Sequence, residues 1–388
     1  MTEWRVTLSE PDLGAEEFQA VAAVLRSGWL TMGATTQTFE EKFAAHCGAK
    51  HAIAVANGTA ALHLAHWALG LGPGDEVICP SLTFVATANA ALYCHATPVF
   101  ADITGLDDFT ISPEAIRQRI SPRTRCLTVM HYAGYPCDME AIRKIADEHG
   151  LAVIEDACHA VGAEYKGKKC GTIGDIGCFS FFSNKNLVTG EGGMLVTDNT
   201  GLAQKLRLGR SHGMTTMSWD RHQGHASSYD VIDLGFNYRI DEIRAALGLA
   251  QLGKLEANNR RRQELTRRYH DHLGRLPGLG LPFRQHATAG AFHIFPILLP
   301  PLYDRSRFIQ EMKRRGIQTS IHYPPVHRFQ YYQKHFHQAA GALPSTEEVS
   351  RREVTLPLHP MMSADDVDFV CQAVGEILSV AEDGIGQN

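Results

Sequence analysis

Asp156 and Lys185 are the two residues of this chain whose types and surroundings could do chemistry together. An apolar run, Leu151 to Ile154, ends in Glu155-Asp156. A second apolar run, Ile176 to Phe181, is followed by Lys185 within Ser-Asn-Lys-Asn and ahead of Thr-Gly-Glu-Gly-Gly. A lysine amine can hold an aldehyde as a Schiff base, and a carboxylate can keep a pyridine nitrogen protonated. One of each, just past two strands, is what pyridoxal phosphate (PLP) chemistry requires. The competing reading of Lys185 is a surface charge. Against it stand the apolar run before it, the backbone freedom of the glycines after it, and the easier deprotonation of a partly desolvated amine. Asp156 is either a loop or capping carboxylate, or a side chain pointing into the crevice at the end of a central parallel strand.

Other residues could serve the same ligand, each with an ordinary alternative. His159 could brace a cofactor ring or be a satisfied loop histidine. The turn Asn57-Gly58-Thr59-Ala60 precedes a helical pattern, so Gly58, Thr59 and Ala60 could offer hydroxyl and amide groups to a dianion, or simply form a capped helix start. Ser180 could add a hydroxyl to the same phosphate. Phe84 could lie on a pyridine ring or belong to the core. Asn237 and Arg239 could approach an anionic ligand, including one held by a neighbouring subunit. The alternative there is that Asp241 caps a helix and the rest is a turn.

The elements that must position these residues alternate in type. HAIAVA (51–56), EVICP (76–80), TPVFAD (97–102), RCLTVM (125–130) and LAVIED (151–156) are each separated by a helical pattern, and IGCFSF and GGMLVTD follow. This alternation predicts an α/β fold with a mainly parallel sheet and helices on both faces. Two helices are expected within the first fifty residues. One or two long helices are expected over Asp241 to Leu276, and a smaller α+β part follows. That part has strand-like AFHIFPILL and GIQTSIHY and helices over 304–315 and 363–381. Residues 1–250 are read as a large domain and 251–388 as a small one; 388 residues exceed one ordinary core.

Composition excludes several classes of function. The net charge of −5 is interspersed, with no basic patch for nucleic acid. The arginines at 260–262, 267 and 268 read as a solvated helix face. Nine dispersed cysteines without a C-x-x-C pair predict reduced thiols and a cytoplasmic protein. The first residues carry no apolar core of a signal peptide, and no apolar run approaches the ~18 residues of a membrane span. Twenty histidines form no metal-binding framework, so no metal is expected. G-x-G-x-x-G is missing after the first strand, which sets a nicotinamide dehydrogenase aside.

The order of the motifs resembles the DegT/DnrJ/StrS family of sugar-nucleotide aminotransferases, within PLP fold type I. The segments carrying the resemblance are SGWLTMG (27–33), NGTAAL, SLTFVATANA, EDACHA, FSFFSNKN, TGEGG, GFNYRIDEIRAALG and HYPPVH (322–327). The resemblance implies a large domain built on a seven-stranded sheet and a smaller C-terminal domain. It implies Lys185 as the Schiff-base lysine and Asp156 as partner of the pyridine nitrogen. Phe84 and His159 would contact the ring, and Thr59, Ala60 and Ser180 the phosphate. Asn237 would reach the phosphate of a second subunit, making a homodimer with shared sites.

The implied reaction takes an amino group from L-glutamate, passes through pyridoxamine phosphate (PMP), and aminates a keto sugar on a nucleoside diphosphate, expected to be a 4-keto-6-deoxyhexose. His322 and Tyr323 are candidate substrate contacts. EDACHA has histidine where many relatives have glutamine, which changes the ring contact and not the class. The His-rich segment from His212 to Asp233 matches no motif. Two other activities are weighed: a PMP-dependent sugar dehydratase, which would carry histidine in place of Lys185, and a non-catalytic PLP-binding regulator.

Overall fold

In the computed structural model, residues 4–216, 219, 224, 228–286, 290–336 and 343–385 are described. Much of the His-rich segment, including 220–223 and 225–227, lies outside them.

Two helices open the chain, α1 (Ala15–Ser27) and α2 (Ala34–Cys47). The alternating region then gives β1 (His51–Val55), α3 (Gly58–Ala68), β2 (Glu76–Pro80), α4 (Ala86–Tyr93), β3 (Thr97–Ala101), α5 (Pro113–Arg119), β4 (Thr124–Met130), α6 (Met139–His149) and β5 (Ala152–Asp156). A small hairpin follows, β6 (Glu164–Tyr165) with β7 (Lys168–Lys169), then β8 (Ile176–Ser180), β9 (Gly193–Thr197) and α7 (Thr200–Arg210). The seven long strands form one sheet in the order β1-β9-β8-β5-β4-β2-β3. Neighbours from β8 through β3 are parallel, and β9 runs antiparallel to both β1 and β8.

Successive strand residues point to opposite faces, and both faces are apolar. On one face Ile53, Val77, Ile154 and Leu195 pack with Leu64, Ala90 and Leu206 of α3, α4 and α7. On the other, Val153 and Leu127 meet Ile142 and Ile145 of α6, and Phe179 and Met194 meet Phe39 and Phe43 of α2. This is the mainly parallel, two-sided sheet that the sequence predicts.

Asp241 caps α8 (Glu242–Leu273) by accepting from the Arg244 amide at 2.9 Å. This single helix of 32 residues is about 48 Å long at 1.5 Å per residue. Its first half contributes Ala245 and Leu255 to the core under the sheet, and its second half contributes Leu265, Tyr269 and Leu273 to a separate core. That second core gathers β10 (Phe295–Leu298), α9 (Arg305–Arg314), β11 (Glu353–Leu356) and α12 (Ala364–Ile385), together with Val6 from the start of the chain. α10 (Gln330–His335) and α11 (Pro344–Arg352) lie between α9 and β11.

Three local readings change. The stretch GIQTSIHY is not a strand: its contacts are isolated bridges, Ile317 to Val6 and Ser320 to Thr355. The partner of β10 is instead β11, whose four residues are too short a run to announce themselves. Arg262, read as part of a solvated face, is buried and donates to the carbonyls of His293 and Leu358.

Candidate active site

β5 and β8 lie side by side and parallel, with Asp156 opposite Cys178. Their ends deliver Asp156 and Ser180 to the same edge of the sheet, and the turns beyond them carry His159 and Lys185. These four residues, Asn57 to Thr59, Phe84 and the segment His322-Tyr323 line one cavity of about 440 Å³.

Asp156 is buried at 3% exposure. Its Oδ2 accepts from the Thr87 hydroxyl at 2.7 Å, and its Oδ1 accepts from the Cys158 amide at 3.2 Å. Thr83 stands 2.8 Å behind Thr87, hydroxyl to hydroxyl. Thr83, just before α4, and Thr87 within it therefore set the rotamer of the carboxylate. Lys185 is partly buried, and among the described residues its amine has no hydrogen-bond partner. Burial pulls its pKa below the ordinary lysine range, while Cys158 and Asp156 push the other way.

Gly58 shows how tightly the phosphate-type turn is built. A Cβ there would lie 2.8 Å from Ser180 Cβ and 3.2 Å from Cys158 Sγ, so no other residue fits without movement. Asn57 caps α3 by accepting from the Ala60 amide at 2.8 Å. Ala60 is thus committed to the cap and does not line the cavity, whereas Gly58 and Thr59 do. The Ser180 hydroxyl accepts from the Phe182 amide at 3.4 Å and sits directly beside this helix start. Gly190, in the glycine-rich loop after the lysine, adopts φ +80°, a turn that side chains resist.

Phe84 is 53% exposed and lines the cavity with its ring 5.9 Å from that of Tyr323, so it is not a core residue. His159 is buried, and its Nε2 lies 2.9 Å from the Tyr323 hydroxyl. Burial, then Lys185 and His322, hold its pKa well below the usual histidine value. The same burial, reinforced by Asp156 and Cys158, raises the Tyr323 phenol well above its own. The His322 amide donates to Glu353 Oε2 at 2.9 Å, and its carbonyl accepts from the buried Tyr132 hydroxyl. Burial lowers the His322 ring to about 4.

Asn237 and Arg239 are not among the lining residues. Asn237 is exposed and bridges Ser211 through its backbone, and the Arg239 guanidinium donates to the Ser211 hydroxyl at 2.8 Å. The cavity also contains residues that sequence reading passed over: Cys158, Asn184 and Glu191 in its wall, with Thr87 behind Asp156. Asn184 and Glu191 flank the lysine within its own motif, a signal that was available. Thr87 was hidden, since one helical turn beyond Phe84 it reads as helix interior.

The residues fit PLP by their chemistry. A primary amine with no hydrogen-bond partner among the described residues and a buried carboxylate face one cavity, beside a helix start that only glycine allows to sit against a serine. The DegT/DnrJ/EryC1/StrS aminotransferase family matches residues 11–375 of the sequence. The chain belongs to this family.

This DegT-family protein is 44% identical over 379 residues to the spore coat polysaccharide biosynthesis protein SpsC of Bacillus subtilis, covering 96% of this chain and 97% of SpsC. Among solved structures, PseC of Helicobacter pylori, an aminotransferase involved in the biosynthesis of pseudoaminic acid, matches with a TM-score of 0.89 at 32% identity. That match covers 97% of this chain and 99% of PseC. Spr1654 of Streptococcus pneumoniae in its PMP form matches with a TM-score of 0.90 at 27% identity, over 95% of this chain and 98% of its own. Its PLP form gives 0.89 at 26%, over 95% and 97%. The DegT-family chain is an aminotransferase of a PLP-dependent class. Among the described residues no helix is long and apolar enough to cross a membrane, and no cluster of His, Cys, Asp or Glu could hold a metal ion.

Proposed function

We propose that this protein transfers an amino group from L-glutamate to a keto sugar carried on a nucleoside diphosphate, a 4-keto-6-deoxyhexose, with PLP held at Lys185. The observation that carries the reading is the convergence of Asp156 and Lys185 on one cavity at the sheet edge. The family and its sugar-biosynthetic members support it.

When bound, PLP supplies an electron sink for the charge left on the substrate carbon when a proton is removed. Asp156 would keep the pyridine nitrogen protonated. The Gly58 and Thr59 amides, the Thr59 hydroxyl and Ser180 would bind the phosphate at the start of α3, where the helix dipole favours an anion. Phe84 would stack on the ring and His159 would sit beside it.

Lys185 would work twice. Its amine would hold the aldehyde. Its Nζ would also be the base that takes the proton from the glutamate Cα and the acid that returns a proton to the carbon being aminated in the keto sugar. The lowered pKa of this amine suits a group that must be free to accept a proton near neutral pH. His322 and Tyr323 would contact the substrate from the far wall.

We place the catalytic unit in a homodimer. Asn237 and Arg239 lie outside the cavity of their own chain, which suits residues that serve the neighbouring site. The large PLP-binding unit and the small unit would divide within α8, between Leu255 and Leu265, with Val6 in the small one. A cytoplasmic location fits nine free cysteines.

The test begins with purified protein and PLP. Borohydride reduction should fix the label on Lys185, and glutamate should convert the bound cofactor to PMP. UDP-, dTDP- and GDP-linked keto sugars are then screened by mass spectrometry for gain of an amino group. A label on another residue, or no conversion with any amino donor, overturns the reading. The second outcome would favour a regulatory PLP-binding protein.

A further inference from the structure

Behind the His322 wall of the cavity stands a buried carboxyl. Glu353 opens β11 at 1% exposure, and among the described residues it forms no salt bridge. Its carboxyl has two partners. Oε2 accepts from the His322 amide at 2.9 Å, and Oε1 lies 2.5 Å from the Thr355 hydroxyl. Glu155, equally buried, has three amides and a histidine. The Thr355 hydroxyl also lies 2.8 Å from His322 Nδ1. Carboxyl, hydroxyl and imidazole thus form a line that ends at a ring of the cavity wall. The other nitrogen of that ring, Nε2, has no hydrogen-bond partner among the described residues, and it is not sealed off as His159 Nδ1 and His293 Nε2 are.

A hydroxyl carries one proton, so the line can run in only two directions. When the carboxylate is ionised, Oε1 can only accept, and Thr355 gives its proton to Glu353. The Thr355 oxygen then accepts from Nδ1–H, and Nε2 is left bare. When the carboxyl holds a proton, that proton belongs on Oε1, because Oε2 faces the His322 amide. Oε1 then donates to Thr355, Thr355 donates to Nδ1, and the ring's own proton sits on Nε2. Passing the extra proton along the line to the imidazole leaves Nε2–H in place. Any other arrangement sets two lone pairs against each other at 2.5 or 2.8 Å in buried surroundings, where such a contact is costly.

We infer that Glu353 is a positioning residue: through Thr355 it decides which nitrogen of His322 carries the ring proton, so the cavity wall donates at Nε2 while the pair holds its extra proton and accepts there once that proton is lost. The donating form selects a ligand oxygen of a carbonyl, carboxylate or phosphate, and the accepting form a hydroxyl or amine. Burial raises Glu353 to about 8 and lowers His322 to about 4, which makes the donating form the neutral-pH one. The charged and titratable groups around the line are Arg305 of α9, which donates to the Glu353 carbonyl at 3.3 Å, the phenols of Tyr132 and Tyr323, and Lys185 and His159 on the cavity side. β10, the strand paired with β11, brings none. The two directions follow from the hydrogen bonds alone, whereas the consequence for the substrate rests on the function proposed above.

Long-range proton–nitrogen NMR spectra of the PLP-loaded enzyme, labelled with ¹⁵N-histidine and titrated from about pH 6 to 9.5, test this directly. The signals lost in His322→Gln identify His322. The expected result is a proton on Nε2 at the acid end and a bare Nε2 with Nδ1–H at the alkaline end. In Glu353→Gln the amide oxygen still accepts from the His322 amide and the NH₂ always donates to Thr355, so Nε2–H should persist throughout. KM for the keto sugar nucleotide found in the screen should rise about tenfold more across the transition in wild type than in Glu353→Gln, the effect of one hydrogen bond. An Nε2 that does not change in wild type, a Glu353→Gln variant that titrates like wild type, or equal KM profiles overturn the inference. If Glu353→Gln fails to fold, Thr355→Val replaces it: the transition should vanish, and its persistence overturns the relay. A tautomer change as expected in a protein that never converts PLP to PMP would uphold the relay and remove the transamination reading.

Discussion

Glu155 and Asp156 are neighbours on β5 whose carboxylates serve opposite sides of the sheet. Asp156 faces the cavity, held by Thr87 and the Cys158 amide. Glu155 faces away and is fully buried. It accepts from the amides of Gly171 at 2.7 Å and Ile173 at 2.6 Å, from that of Gly174, and from His131 Nε2 at 2.8 Å. The alternation of side chains along a strand allows one acidic pair to do two unrelated jobs. Burial opposes the charge on Glu155, and these donors more than offset it, holding the carboxyl below the ordinary range.

Substituting the two residues should therefore give different phenotypes. Glu155→Ala leaves buried amides and a histidine without their acceptor and should cost on the order of 3–5 kcal/mol of stability. Asp156→Asn should melt like wild type but lose about 2 kcal/mol or more of cofactor binding. Urea denaturation and PLP titration of both variants separate the effects. An unstable Asp156→Asn with normal PLP affinity would reverse these roles.

Lys185→Ala should keep the fold and lose turnover by roughly 100- to 10,000-fold, the usual size of a proton-transfer contribution, with further loss from the missing tether. Circular dichroism checks the fold, and a coupled assay with glutamate checks turnover. Rates within a fewfold of wild type would remove Lys185 from the mechanism.

Gly58→Ala should strike Ser180 and Cys158. Overpacking of this kind costs about 1–3 kcal/mol, and here it should also spread the phosphate turn. The expected result is a lower melting temperature together with weaker uptake of PLP and of inorganic phosphate as a competitor. A variant that melts lower yet binds both normally would show that the turn does not hold phosphate.

Glu353 gives a stability signature between the ordinary carboxyl value of 4.5 and about 8. It is fully buried, and burial pushes its carboxyl from an ordinary 4.5 up to about 8, despite hydrogen bonds from Thr355 and the His322 amide. Between those values the unfolded chain has released the proton and the folded chain retains it. Its contribution is therefore complete below about 4.5 and is lost as pH rises towards 8. Glu353→Gln should flatten the decline in unfolding free energy across this window, measured by urea titration from pH 5 to 9. An unchanged slope would assign the decline to other groups.

The long strands and most helices were legible in the sequence because their burial patterns are local. EVICP became β2 without adjustment, LAVIED (151–156) became β5 from Ala152 to Asp156, and the run from Ile176 to Phe181 became β8, which ends one residue earlier at Ser180. The short β11 and the bridges of Ile317 and Ser320 were not, because four-residue pairings depend on partners far away in the chain. The arginine at 262 was misread for a similar reason: a cation meets buried carbonyls only after distant segments pack against its helix.

The site divides along the same line. The chain's own order of residues fixed which chemical groups stand at strand ends, since an amine after one apolar run and an acid after another are statements about types and spacing. Packing alone decided which of two adjacent acids faces the cavity, which amide of the Asn57-Gly58-Thr59-Ala60 turn is already spent on a cap, and that Tyr323 meets His159. Those outcomes depend on register, on close approach and on contacts across 164 residues of chain, and no local pattern encodes them.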